Sequence, residues 1–371
     1  MDISYLSKSA IPSKKANSVQ VMKMCSAFAL LGHDVTLYAP KYNDDPADIN
    51  EVFDHYGIAE EFEIKWIGTE KADRYTYPFY CLREVKRTDP DLVYGRAIGG
   101  CFVASLARYK TIYEIHHPPS SKLKQLLFDA MCRNRHLSCV AISGKLRDHL
   151  LANYPLQQSN VCVAHDGAEQ PPDETDNEQK NTDYYVDSYL NAGYVGQLYP
   201  GKGMEMIAKL VRRCPDIFFH IVGGDEESVS SWRDELEDVS NVQFHGFVSH
   251  ADTAKYRAGM DVLLAPYQDE VLVGRGTDVS NWMSPLKIFE YMSSGTPMLA
   301  SDLPVLKEVL EHRTNALLCD PSDVNDWVEK LNYAKKNERE MRDIGHKAKL
   351  DMAENFTWEK RARKILCTLV D

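Results

Sequence analysis

The sequence lacks any C-x-x-C pair, although it carries nine cysteines at positions 25, 81, 101, 132, 139, 162, 214, 319 and 367. An odd, scattered set fits reduced thiols in a cytosolic protein rather than a disulfide framework or a zinc site. No run approaches the roughly 20 apolar residues that span a bilayer. The opening MDISYLSKSAIPSKK has no long apolar stretch of the signal-peptide kind. A basic excess is missing as well: 43 Lys and Arg face 55 Asp and Glu, a formal net charge of −12. That balance argues against a general nucleic-acid binder. The loop SKSAIPSKKANS after the first apolar run has no G-x-G-x-x-G, and G-x-x-x-x-G-K-[ST] is absent, so neither a dinucleotide-binding dehydrogenase nor a P-loop NTPase is indicated. The expectation is a cytoplasmic globular protein. The basic, partly amphipathic stretch 120–140 reads as a packed helix, with peripheral contact at the inner face of the membrane as the alternative.

What is present is length and alternation. A chain of 371 residues exceeds a single core and fits two domains. MDISYLS reads as a strand, residues 17–31 as a helix ended by Gly32, and DVTLYAP as a second strand. Further strand-like runs follow in EFEIKWIG, DLVYG, KTIYEIHHPP, LSCVAIS and NVCVAHDG, with helical patterns between them. A polar, acidic, Pro-containing segment at 169–187 interrupts the pattern and reads as a linker. Alternation then restarts at LNAGYVG and runs through VQFHGFV, DVLLAPY, TPMLAS and NALLCD. The organisation expected is α/β, with two doubly wound parallel sheets: residues 1–175, residues 176–350, and a last helix within 351–371 that docks through Trp358, Ala362 and Ile365.

Open parallel sheets bind ligands beyond the C-terminal ends of their strands, so residues there are the candidates. In SPLKIFEYMSSGTP, Ser284 suits an N-cap, Pro285 the first helical position, and Gly295 the helix end. Leu286 and Lys287 then lie in the first turn. A cation there opposes the helix dipole unless an anion shares the site. Glu290, one turn deeper, could accept hydrogen bonds from sugar hydroxyls. The plain alternative has Lys287 solvated and Glu290 paired with it at i,i+3. In GYVGQLYPGKG, Gly196 ends a strand and Lys202 opens a helix, an arrangement suited to a diphosphate or simply to a tight turn. Gly223 and Gly224 permit close backbone approach after another strand. Phe247 and Val248 follow a third strand, where backbone could meet a nucleobase. In YEIHHPP, Glu114, His116 and His117 share a strand end, without the spread of ligands a metal site needs.

Together, LLGHDVTLYAP, YEIHHP, AIS, HDGAE, GYVGQLYPGKG, IVGGDEE, VQFHGFV, SPLKIFEYMSSGTPMLASDLPVLKEVL, NALLCDPSDVNDW and FTWEKRARKIL resemble the retaining GT-B-fold glycosyltransferases of family 4 over nearly the whole chain. The resemblance implies two Rossmann-like domains facing a cleft. It implies a UDP- or GDP-sugar donor on the C-terminal domain, a glycan, lipid-linked or small-molecule acceptor on the N-terminal one, no nucleic acid, and no metal or other cofactor. It also implies that the last helix crosses back to the N-terminal domain. Glu290 matches the second glutamate of the family's E-x7-E pair, which holds the ribose, and His116 the histidine near the transferred sugar. Gly223 and Gly224 match the nucleotide loop, and Lys202 the diphosphate lysine. Two positions depart from the pattern: Trp282 stands where the first glutamate is usual, and Gln197 where an arginine is. Lys287 or Arg275 is then the compensating cation. A nucleotide-sugar epimerase and a degenerate nucleotide-sugar-binding protein are the competing expectations.

Overall fold

The computed structural model of the protein describes residues 1–41, 48–68, 76–171, 184–250, 252–273 and 276–370. The chain divides into two compact units: Met1–Asp166 with Trp358–Asp371, and Gly167–Thr357. Residue 175, where the sequence suggests a junction, and most of the acidic linker lie outside the described residues, as does Arg275.

In the first unit the strands are β1 (Asp2–Leu6), β2 (Asp34–Pro40), β3 (Glu63–Ile67), β4 (Leu92–Gly95), β5 (Thr111–Ile115), β6 (Leu137–Ala141) and β7 (Val161–Val163). They form one parallel sheet ordered β3-β2-β1-β4-β5-β6-β7. The central strands are covered on both faces, which is why β4 (LVYG) and β5 (TIYEI) are buried at every position rather than alternating. Glu114 is the charged member of that run. The helix Ala16–Leu30 connects β1 to β2 and stops two residues before Gly32, which takes the left-handed conformation at φ 82°. The segment 120–140 divides into the helix Lys122–Cys132 and β6, with Leu123 and Leu126 exposed. Among the described residues no helix is long and apolar enough to cross a membrane.

The last helix, Trp358–Leu369, belongs to the first unit and packs on Ala16–Leu30 and β7. Trp358, Ala362 and Ile365 are buried on one stripe, as their spacing suggests. Arg361 falls on the same stripe and is 3% exposed.

The second unit repeats the plan. Its parallel strands are β8 (Leu190–Val195), β9 (Ile217–Val222), β10 (Val242–Gly246) and β11 (Val262–Ala265). A short antiparallel hairpin follows, β12 (Leu272–Val273) with β13 (Thr277–Asp278), and then β14 (Met298–Ser301) and β15 (Leu317–Cys319). The sheet order is β10-β9-β8-β11-β14-β15. Two Rossmann-like α/β units of this kind are the elements of the GT-B architecture. Where the chain enters and leaves this unit, Ala168 and Thr357 form a parallel bridge, and the Ala168 amide donates to the Phe356 carbonyl at 3.1 Å.

One core of this unit includes Trp327, which is fully buried and donates through Nε1 to the Asp320 carbonyl at 2.9 Å. Trp327→Ala removes both the packing and the bond. The expected loss is about 3–5 kcal/mol, read as a lower urea midpoint in chemical denaturation followed by circular dichroism.

Candidate functional site

In each sheet the strand order reverses at a central pair, and the crevice beyond that pair is the natural ligand position of an open α/β sheet. In the second unit the pair is β8 and β11. Gly196 follows β8 directly, and Tyr267 stands two residues after β11.

Lys287 is aimed at this point. It is the second residue of the helix Leu286–Ser294, buried to 8% exposure. Its Nζ lies 3.8 Å from the centroid of the Tyr194 ring and 4.9 Å from that of Tyr267. A Cβ at Gly196 would sit 3.1 Å from both Cε and Nζ, so the lysine lies directly against that glycine. Among the described residues Nζ has no hydrogen-bond partner. Burial, with Lys202 nearby as a second cation, holds its proton affinity well below the ordinary value of 10.5, against the opposing pull of Glu290. The ammonium is therefore neither solvated nor paired with Glu290, the two conditions of the plain sequence alternative.

The helix start also differs from the expectation. Pro285 is the N-cap, extended at ψ 125°, and Leu286 is the first helical residue. Ser284 lies one residue too early to cap it; no side chain bonds the first turn from the cap position. Pro285 is the last extended residue, and the Ile288 amide donates to its carbonyl at 3.0 Å. The expected end is observed: Ser294 is last and Gly295 takes φ 70°.

Glu290 pairs across to other elements. Arg257 Nη1 lies 3.5 Å from its Oε2 and His250 Nε2 3.6 Å from its Oε1. Neither partner is signalled by local spacing. The carboxylate is 15% exposed, so it is oriented and still reachable.

Glycines bring the loops close. The Gly196 amide donates to Val222 at 2.9 Å, and the Gly223 amide to Gly246 at 2.7 Å. Gly223 has φ 110°, and a Cβ on it would fall 2.3 Å from the Gly196 carbonyl oxygen, so only glycine fits. Gly224 is buried next to Leu198. Lys202 stands two residues before the helix Met204–Arg213, over the Tyr199 ring at 5.5 Å, and burial lowers its proton affinity. Phe247, 43% exposed, and Val248 follow β10 beside this loop pair. Gln197 is held through its carbonyl, which accepts from the Tyr194 hydroxyl at 2.6 Å. Trp282 is half-buried in the turn after β13. Tyr194, Tyr267, Arg257 and His250 complete this group; the sequence reading did not single them out, since each comes from a different element.

His116 belongs to the first unit, just past β5. Its Nε2 lies 2.6 Å from Glu114 Oε1, and its side chain is 19% exposed. Glu114 is wholly enclosed and also receives Gln20 Nε2 at 2.5 Å, the Tyr94 hydroxyl and Arg361 Nη1 at 3.1 Å. Burial pushes the Glu114 carboxyl up, but Arg361 and the His116 hydrogen bond outweigh it and hold the group well below the usual range. Burial and the Arg96 cation lower His116 to about 4, so the ring is neutral at physiological pH. Among the described residues no cluster of acidic, His and Cys side chains could hold a metal ion.

Comparisons with known proteins agree with this geometry. A family model described as Glycosyltransferase Family 4 matches residues 18–169, and one described as Glycosyl transferases group 1 matches residues 190–337. An uncharacterized glycosyltransferase of Haemophilus influenzae is 27% identical over 173 residues, 45% of this chain and 45% of that one. The chain is matched over less than half the length of the curated relatives found. Among solved structures, Anabaena Alr3699/HepE in complex with UDP-glucose superposes with a TM-score of 0.76 at 17% identity, covering 100% of this chain and 99% of that one. Sucrose-phosphate synthase from Thermosynechococcus elongatus gives 0.75 at 16% identity, covering 98% and 97%. At such identities the structures speak for the fold alone. With the family models matching both units in order, the chain belongs to the GT-B-fold glycosyltransferases related to family 4.

Proposed function

We propose that the protein transfers a sugar from a nucleoside diphosphate sugar to an acceptor hydroxyl, with retention at the anomeric carbon, in the assembly of a glycan or glycoconjugate. The observation that carries this reading is the buried Lys287 amino group beside Gly196, without a hydrogen-bond partner among the described residues, at the first turn of a helix that no cap side chain bonds. Two lysines near one another repel in the empty protein; a diphosphate between them and the helix start removes that repulsion. Lys287 supplies the cation that Gln197 does not. Glu290, set by Arg257 and His250, faces the ribose hydroxyls, and the backbone at Gly223, Gly224, Phe247 and Val248 meets the base. The second unit holds the donor and the first the acceptor. His116 contacts the transferred sugar.

As the glycosidic C–O bond breaks, negative charge grows on the leaving diphosphate, and Lys202 and Lys287 stabilise it where it develops. No carboxylate is assigned as nucleophile. The leaving phosphate oxygen takes the acceptor proton, so paired acids of the glycosidase kind are not required. Anabaena HepE, captured with UDP-glucose, favours a UDP-sugar as the first donor to test and a GDP-sugar as the second.

Calorimetry with UDP and with GDP, each with and without EDTA, tests the site. One nucleotide is expected to bind, unaffected by EDTA; binding of neither, in folded protein, would overturn the reading. Lys202→Ala should lower turnover by at least about tenfold, roughly 1.4 kcal/mol, and unchanged turnover would remove that role.

Lys287 gives a pH prediction. Its proton affinity is depressed in the empty folded protein, so the unfolded chain binds the proton more tightly. Its contribution to stability therefore rises with pH between the depressed value and 10.5, and below that window the buried charge is a full cost. A nearby anion raises that proton affinity again, so at pH values within this window nucleotide binding should take up protons, measured by titration in buffers of different ionisation enthalpy. Lys287→Met should keep or raise the melting temperature while weakening nucleotide binding by at least about tenfold, about 1.4 kcal/mol, and should abolish the linked uptake. A variant that binds as the wild type does would exclude Lys287 from the site.

A further inference from the structure

The ionic cluster behind His116 is built from five separate parts of the first unit, and no donor-binding role uses it. Glu114 comes from β5, Tyr94 from β4 and Arg96 from the turn after it. Gln20 comes from the helix Ala16–Leu30, Asp166 from the segment after β7, and Arg361 from the last helix. Arg361 spans the group: Nη1 donates to Glu114 Oε2 at 3.1 Å, Nε to the His165 carbonyl at 2.8 Å, and Nη2 to the Ala164 carbonyl at 3.3 Å. Nη2 also lies 3.7 Å from Asp166. Arg361 and Glu114 have side chains 2% and 0% exposed.

A buried ion pair of this depth gains little net stability over apolar packing, so its presence asks for a purpose. The geometry around His116 supplies one. Glu114 is ionised because Arg361 faces it, and an ionised carboxylate only accepts. His116 Nε2 must then carry the ring proton it gives to Glu114 Oε1 at 2.6 Å. Nδ1 is left as a lone-pair acceptor, with no hydrogen bond to any described residue. We propose that Arg361 is a positioning residue for His116: through Glu114 it fixes the imidazole in its neutral, Nε2-protonated form and orients Nδ1 to accept a hydrogen bond from a sugar hydroxyl. This rests on the reading that His116 contacts the transferred sugar. It also reverses the simplest role for such a histidine, that of a donor.

Removing Arg361 takes one positive charge from the Glu114–His116 pair, so the pair binds a proton more readily. Tyr94, Gln20, Arg96 and Asp166 remain; burial holds the Asp166 carboxyl up at about 7, and Arg96 alone opposes protonation less than both cations together. The neutral acceptor form is then lost as pH falls, and it is lost at a higher pH than in the wild type.

The test uses full-length protein with 15N-labelled histidine rings, His116 being assigned through His116→Gln. The wild type should show an unprotonated Nδ1 and a protonated Nε2 without titration from pH 6 to 8 (about two units above its lowered value). An Nδ1-protonated ring overturns the proposal and needs no Arg361 variant. In Arg361→Met the ring or its carboxylate partner should take up a proton, and the acid limb of kcat/KM should move up by about one pH unit or more. Arg361→Lys, which keeps the charge, should leave the limb close to that of the wild type. A folded Arg361→Met with unchanged ring signals and pH profile would make Arg361 merely structural. His116→Ala separates the two claims: unchanged transfer there would remove His116 from the sugar site and with it the functional part of the proposal, while the ring spectra still report whether Arg361 governs the tautomer.

Discussion

The Lys287 amino group is enclosed against two tyrosine rings, with no hydrogen-bond partner among the described residues. A ring face attracts a cation by about 0.5–2 kcal/mol, whereas taking a charge out of water costs several kcal/mol. The difference is borne by the rest of the unit. Gly196 must lack a side chain so that the lysine can lie there, and Gly223 must lack one so that its loop can close over the Gly196 carbonyl. The helix Leu286–Ser294 must bring its positive end to the same place, which makes the cation more costly still. Each of these choices is unfavourable alone. They would become consistent with a dianion among them, as the proposed donor would supply.

The first unit handles buried charge in the opposite way. Glu114 is as deeply placed as Lys287, but Arg361, Gln20, Tyr94 and His116 all turn toward it. Nothing is left for a ligand to neutralise there. Its one outlet is the imidazole edge, which is partly exposed. Two sheets with the same strand logic thus treat buried charge in two ways: a lysine without a hydrogen-bond partner among the described residues in one, and a carboxylate bonded on every side in the other.

The fold was readable because it rests on local pattern. Strands buried on both faces appear as apolar runs such as DVTLYAP and DVLLAPY, with helical periods between most of them. The site was readable in part. Lys287 stood out because a cation in a first turn is misplaced, and the glycines because they end strands. Side-chain partnership was hidden, since Arg257 and His250 reach Glu290 from 33 and 40 positions away and Tyr194 reaches Lys287 from 93. Arg361 did leave a trace. It occupies an i,i+3 place on the stripe of Trp358, Ala362 and Ile365, and a charge on an apolar stripe implies a buried partner. Ser284 misled because serine is a good cap in general, while the proline beside it takes that position here.

The first unit is not one continuous stretch of chain: its final helix is supplied after the entire second unit, across the paired segments at Ala168 and Thr357. On the ribosome, residues 1–166 emerge with Glu114 already inside a forming sheet and its counter-ion still nearly two hundred residues from synthesis. The nascent first unit must wait with that carboxyl protonated or wet. Sealing it must follow synthesis of the whole second unit, which has time to form before the first is finished.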